Sequence, residues 1–174
     1  MRVRAAERRK RCAMLSIRRF SDEDWNAVWS IIAPTIRAGE TYALPRQLSE
    51  AEAREYWTGA DRTTFVAEEN SRIVGTYYIR PNQPGGGSHV ANCGYMTDAA
   101  SSGRGVAKQM CEHSLEYARA AGFLAMQFNF VVSSNERAVR LWQFLGFAIV
   151  GRLPAAFRTP SGNYVDALVM FKTL

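Results

Sequence analysis

The chain has 174 residues, 47% of them hydrophobic, which is enough for one domain with a full core and too few for two comfortable ones. No apolar run approaches the roughly 20 residues needed to cross a bilayer, and the start lacks the apolar core of a secretory signal, so a soluble, cytoplasmic protein with no membrane partner is expected. The net charge of +6 is local: Arg2, Arg4, Arg8, Arg9, Lys10 and Arg11 stand against Glu7, which leaves residues 15–174 nearly neutral and argues against a nucleic-acid-binding face.

Residues 1–14 read as a basic disordered tail, either from an upstream start codon or foreign to the native protein, and residues 15–174 as one domain. Cys12, Cys93 and Cys111 are an odd number without C-x-x-C spacing, and only His89 and His113 could join them. That pattern argues against disulfides and against a metal site, and favours buried small apolar residues or a free thiol.

Leu15 to Phe20 alternates as a strand does, and Ser21-Asp22-Glu23-Asp24 supplies an N-cap with acids for a following helix. Trp25, Val28, Trp29, Ile32 and Ile36 fall at helical spacing, with Pro34 expected to end or kink the helix. Residues 37–46, with Gly39 and Pro45, read as a loop placed to wall a pocket, and Glu40, Thr41 and Tyr42 are its chemically interesting part. Ser49-x-x-Glu52 is a capping box that opens a short helix through Trp57.

Thr63 to Glu68 and Ile73 to Arg80 read as an antiparallel hairpin closed by residues 69–72. After the glycine-rich loop 81–88, His89 to Thr97 is a third strand of the meander. Helix 104–121, strand 123–132, a second helix ending at Leu145-Gly146, a strand from Phe147 and a last strand 163–172 follow. A meander followed by β-α-β-α-β predicts an α/β fold with a mixed sheet and helices on both faces. In the strand 123–132, Asn129 sits among apolar neighbours. Ser133-x-x-Glu136 reads as a second capping box, which would free the Asn135 side chain.

The turn Ser102-Gly103-Arg104-Gly105-Val106-Ala107 leads from a strand into a helix, and such a turn aims unpaired N–H groups and the positive end of a helix dipole at one spot. A Walker A loop needs G-x-x-x-x-G-K-[ST], which is absent, and a dinucleotide fingerprint needs a glycine where Lys108 stands. The turn instead resembles the [QR]-x-x-G-x-[GA] pyrophosphate loop of the GNAT acetyltransferases, with Ser102 in place of Gln or Arg. The downstream Asn135-x-x-Ala138-x-x-Leu141-Trp142 and Leu145-Gly146-Phe147 are similar to that family's N-x-x-A-x-x-L-Y…LGF segment.

This resemblance spans residues 15–174 and implies the GNAT acyl-CoA N-acyltransferase fold, with splayed central strands. It also implies acetyl-CoA as cofactor, held by Tyr95, Met96, Thr97, the turn 102–107, Asn135, Ala138, Leu141 and Trp142. The implied partners are a small-molecule amine and a second copy in a homodimer. Gly39-Glu40-Thr41-Tyr42, Asn92-Cys93-Gly94-Tyr95 and Gln127-Phe128-Asn129-Phe130 further resemble the fungal enzymes that acetylate proline analogues such as azetidine-2-carboxylate, whose central-strand asparagines hold substrate. The resemblance therefore implies a substrate site of Glu40, Thr41, Tyr42, Asn92 and Asn129, with phosphinothricin-like compounds or polyamines as alternative amines and a non-catalytic acyl-CoA sensor as the alternative role.

Transfer to an amine needs an oxyanion donor, for which a backbone N–H near Tyr95 or Met96 is expected. It also needs a base or a water relay, for which Glu40, His89 and water held by Asn92 are candidates. Asparagine can only position, since its amide accepts no proton at neutral pH, and both asparagines could instead bond to backbone across the sheet. Many family members use a tyrosine at the position of Trp142 to protonate the thiolate. Indole cannot do so, which leaves Tyr95, the substrate ammonium or solvent as the acid.

Overall fold

A computed structural model of the chain describes residues 15–174; the basic tail expected for residues 1–14, and Cys12 within it, lie outside the described residues. Seven strands form one mixed sheet in the order β1-β2-β3-β4-β5-β7-β6. These are β1 (Ser16–Arg19), β2 (Thr63–Glu69), β3 (Arg72–Pro81), β4 (Val90–Thr97), β5 (Ala125–Val132), β6 (Ala148–Arg158) and β7 (Tyr164–Thr173). Helices α1 (Trp25–Ala38) and α2 (Glu50–Thr58) precede the meander, α3 (Val106–Ala120) follows β4, and α4 (Glu136–Phe144) follows β5.

All neighbours are antiparallel except β4 and β5, which run parallel. Two apolar clusters cover the two faces. Val28, Ile32, Ile36 and Trp57 of α1 and α2 pack on Val66, Tyr78 and Met96, while Met110, Leu115 and Trp142 of α3 and α4 pack on Tyr77, Met126 and Phe128. Alternate strand residues feed the two cores, as a pleated strand requires.

Local chemistry accounts for most boundaries. Ser49 and Glu52 form the expected capping box. The β2–β3 hairpin turns on Asn70 and Ser71, both at positive φ (51° and 61°), the pairing that a two-residue turn needs to match strand twist. Two boundaries before the meander differ from expectation. Ser21 caps a 3₁₀ turn, Asp22–Asp24, from which α1 departs, and α1 runs through Pro34 to Ala38 before Gly39 (φ 67°) ends it. Pro34 and Ser30 are both exposed, so the carbonyl four residues back that loses its N–H partner is one that water can reach.

Beyond Gly39, Arg46 Nε donates to the Arg37 carbonyl while Arg37 Nη1 donates to the carbonyls of Arg46 and Leu48. These reciprocal bonds fix residues 40–48 over the sheet.

One glycine is needed for packing. Gly94 pairs with Tyr78 across β3–β4, and a Cβ on it would lie 2.6 Å from Tyr78 Cε1. The ring can lie over the strand only because that Cβ is missing, and it packs there edge-on against Trp57 with centroids 5.0 Å apart. Gly94→Ala should therefore lower stability by about 1–3 kcal/mol through overpacking. Urea unfolding measures this, and a variant within experimental error of the wild type would show that Tyr78 has room to move.

Candidate active site

The site begins where the sheet comes apart. Val90 and Ala91 pair with Ala125 and Met126, and no further rung joins β4 to β5. Asp98 N–H donates to the Val74 carbonyl, and Asn82 N–H to the Val90 carbonyl. Hydrogen-bonded pairs alternate along an antiparallel ladder, so in this register residues 90, 92, 94 and 96 direct their backbone groups at β3. Cys93, Tyr95 and Thr97 direct theirs at the space that β5 has left. Met96, expected as an alternative oxyanion donor and cofactor contact, thus has its N–H committed to β3 and its side chain buried in the α1–α2 core. Tyr95 and Thr97 keep free N–H groups in the gap.

Two side chains close rungs that the backbone leaves open. Asn92 Nδ2 donates to the Gln127 carbonyl at 2.9 Å, across the point of parting, and Tyr42 Oη donates to the Tyr95 carbonyl at 2.9 Å. The strand-to-backbone alternative weighed for Asn92 is realised for its nitrogen, while its oxygen accepts no hydrogen bond from the described residues. Farther along β5, a bulge between Phe128 and Val131 sets Asn129 and Phe130 against one β7 residue, and such a bulge re-aims side chains. Asn129 accepts from Gln127 Nε2 (2.8 Å) and donates to Asn82 Oδ1 (2.7 Å).

At the other end, Gly103 and Gly105 take φ values of 84° and 82°, a left-handed conformation that favours glycine. The first intrahelical bond of α3 runs from Gln109 N–H to the Gly105 carbonyl at 3.1 Å. The N–H groups of Val106, Ala107 and Lys108 therefore lack helical acceptors and face the positive end of the dipole. The helix starts two residues later than expected because Arg104 and Gly105 belong to this turn. Arg104 is turned away to Glu69 at 2.5 Å. Arg137 of α4, which sequence reasoning missed, instead brings a guanidinium to the turn: its Nη1 donates to Ser102 Oγ at 2.6 Å. A long cation missing at position 102 is thus supplied from the neighbouring helix.

Two cavities meet at the gap. One, of about 510 Å³, is lined by the turn 101–103 and 105–108, Arg137 and Leu141. The other, of about 400 Å³, is lined by Thr41, Tyr42, Tyr56, Tyr78, Arg80, Asn92, Cys93, Phe128, Asn129 and their neighbours. Tyr95, Thr97, Asn135, Ala138 and Trp142 line both. Trp142 is 8% exposed and packs at 5.1 Å from the rings of Tyr95 and Phe128. Among the described residues no group of three or more His, Cys, Asp or Glu side chains could hold a metal ion.

A match to the acetyltransferase (GNAT) family model runs over residues 23–147, through the gap, the turn and Asn135. The chain belongs to the GNAT acetyltransferase family. The GNAT fold is shared with a GCN5-related N-acetyltransferase from Kribbella flavida at 40% identity and TM-score 0.87, over 92% of this chain and 98% of that one. The N-acetyltransferase aca1 of Schizosaccharomyces pombe is 26% identical over 151 residues, which are 77% of this chain and 72% of the relative. A phosphinothricin acetyltransferase from Sinorhizobium meliloti, solved with acetyl-CoA, shares the fold at TM-score 0.82 and 19% identity, over 92% of this chain and 88% of that one.

Within this GNAT chain several expected roles change. Glu40 is exposed and His89 is exposed, and neither lines a cavity, so neither is placed as a base. The hydroxyl of Tyr95 lies 2.7 Å from Ser114 Oγ on the α3 face, away from the gap, and burial holds its pKa well above 10; its backbone, not its phenol, belongs to the site. Burial likewise raises the Tyr42 and Tyr78 phenols and the Cys93 thiol.

Asn135, expected to be free of capping, is itself the N-cap of α4, with Oδ1 accepting from Ala138 N–H at 3.3 Å. The expected Ser133 capping box does not form, because the Ser133 N–H that Glu136 would accept from pairs with the Asp166 carbonyl, so Ser133 still belongs to the β5–β7 ladder. Asn135→Ala should cost about 1 kcal/mol, the usual worth of a side-chain cap, whereas Ser133→Ala should cost less. Thermal unfolding of the two variants side by side checks this order.

Proposed function

We propose that the chain transfers an acetyl group from acetyl-CoA to the amine of a small molecule. The observation that carries this reading is the Tyr95 N–H, which no described residue accepts from, placed in the gap between a helix start suited to an anion and the acceptor cavity. The residues fit the cofactor. Val106, Ala107 and Lys108 N–H with Arg137 suit the pyrophosphate, and the Thr97 backbone beside Trp142 suits the pantetheine amides. Acetyl-CoA supplies the thioester whose carbonyl the amine attacks; Tyr95 N–H is the donor available for the charge that develops on that oxygen.

Among the described residues no Asp, Glu or His lines the acceptor cavity. Burial raises the Tyr42, Tyr78 and Tyr95 phenols and the Cys93 thiol, so these four stay protonated near neutrality and accept no proton from the amine. The amine must therefore arrive neutral, or lose its proton to water held by the free Asn92 oxygen. As the C–N bond forms and the C–S bond breaks, the nitrogen's remaining surplus proton leaves through water, and a thiolate with a pKa near 8.5 departs without a dedicated acid.

A cyclic imino acid is the acceptor we favour. It agrees with the proline-analogue likeness at residues 39–42, 92–95 and 127–130, and with Asn92 and Asn129 both lining the cavity wall. A cavity open to the gap favours turnover over passive acyl-CoA sensing.

The test is release of thiol from acetyl-CoA across a panel of small amines, followed by a pH profile for two active amines of different pKa. Because only the neutral amine attacks, kcat/KM should rise tenfold per pH unit below the amine's own pKa and level off above it. The inflection should move with the amine. An inflection fixed at one pH for both amines would reveal a base on the protein, and a complete lack of amine-dependent release with acetyl-CoA bound would remove the proposal.

A further inference from the structure

We infer that Arg80 reads an anionic group on the acceptor, so that the amine substrate carries a carboxylate or a similar oxoanion; this rests on the acyl-transfer reading above. Among the residues that line the acceptor cavity, Arg80 is the one with a formal charge, and no carboxylate faces it there. Its charge is only partly answered elsewhere. Arg80 Nη1 lies 3.0 Å from Asp61 Oδ2, but Asp61 also takes two bonds from Arg62, at 2.7 and 3.0 Å. One carboxylate between two guanidinium groups leaves a net positive charge at the cavity wall.

The hydrogen bonding is incomplete in the same place. Arg80 Nε is buried without an acceptor, and Nη2 donates to no described protein group. An unpaired buried N–H is costly, and a carboxylate forked on a guanidinium is among the stronger polar contacts that a protein makes. Arg62 cannot take this role, because its guanidinium lies over the rings of Tyr56 and Tyr78 (5.4 and 4.9 Å) and donates to the Tyr56 carbonyl.

Position completes the argument. Arg80 pairs with Asn92 across β3–β4, so the two side chains leave the same face of the sheet as neighbours. Asn92 also stands at the point where the strands part. A substrate whose anion meets Arg80 therefore has its nitrogen directed along β4 toward the gap. A polyamine would instead bring a second ammonium to a cavity that holds a cation and no acid.

The test compares L-proline, its amide and pyrrolidine, with kcat/KM corrected for the neutral amine fraction, in the wild type, Arg80→Gln and Arg80→Lys. An α-amino phosphonate serves as a fourth substrate, to separate a carboxylate from a phosphorus oxoanion. The wild type should favour an anionic amine over the amide and the parent amine by about 10-fold or more. In Arg80→Gln the KM for the anionic amine should rise about 10- to 100-fold with kcat little changed and the amide unaffected, and Arg80→Lys should fall between.

Acetyl-CoA affinity by calorimetry confirms that each variant is folded. Should Arg80→Gln fail to fold, the wild-type preference decides alone. Equal losses for anionic and neutral amines in a folded Arg80→Gln, or a wild type that prefers neutral amines or polyamines, would overturn the inference and leave acetyl transfer standing. No thiol release with any amine would overturn both.

Discussion

The structure depends on a ladder that stops. β4 and β5 share only the rungs at Val90–Ala125 and Ala91–Met126, and everything functional lies beyond that point. Backbone groups deprived of partners are expensive when buried, so the break must be supported from both sides. β5 is held from behind by its antiparallel partner β7, and β4 by its full register with β3. Asn92 and Tyr42 then take up one carbonyl each at the edges of the opening. What is left over is a short row of donors that no described residue satisfies, which is the condition for a site that binds amides and stabilises a developing negative charge.

The gap also orders the rest of the site. Because alternate residues of a strand face opposite sides, the Cys93 and Tyr95 side chains go to the α3–α4 core while Asn92, Gly94 and Met96 face α1 and α2. The glycine turn before α3 therefore grows from one end of β4 on the α3 side. The acceptor wall is built on the opposite face, where the bonds between Arg37 and Arg46 fix the loop after α1. The two cavities meet at the missing rungs, and the proposed chemistry runs on backbone dipoles and water instead of on titrating side chains.

Much of the fold was legible because local signals agreed with one another: helical spacing in α1, the Ser49 box, the turn residues of the hairpin and the glycines before α3. The geometry of the turn before α3 was legible for the same reason, since glycine at positive φ and a helix start are local facts. The acceptor half was not. Glu40 looks attractive beside Thr41 and Tyr42, yet it points outward, because a loop has no period from which direction can be read.

Asn135 against Ser133 was a choice between two capping arrangements that fit the same letters, and the β5–β7 ladder decided it by taking the Ser133 N–H. Arg80 and Arg137 carried no sequence signal. An arginine at a strand end or in a first helical turn is ordinary, and only the third dimension shows that one lines a cavity without acids and the other reaches Ser102.

Cys93 gives the gap a property of its own. Its thiol is 7% exposed within the α3–α4 core, while its backbone opens on the parted strands. Burial raises its pKa, so it is unreactive as long as β4 stays packed on α3, even though it lines the cavity where acetyl chemistry is proposed. A thiolate exposed beside a thioester would be acylated in place of the amine. Keeping this sulfur protonated is therefore a form of chemical insulation: the packing of β4 on α3 would keep the protein from consuming the acyl donor proposed for it.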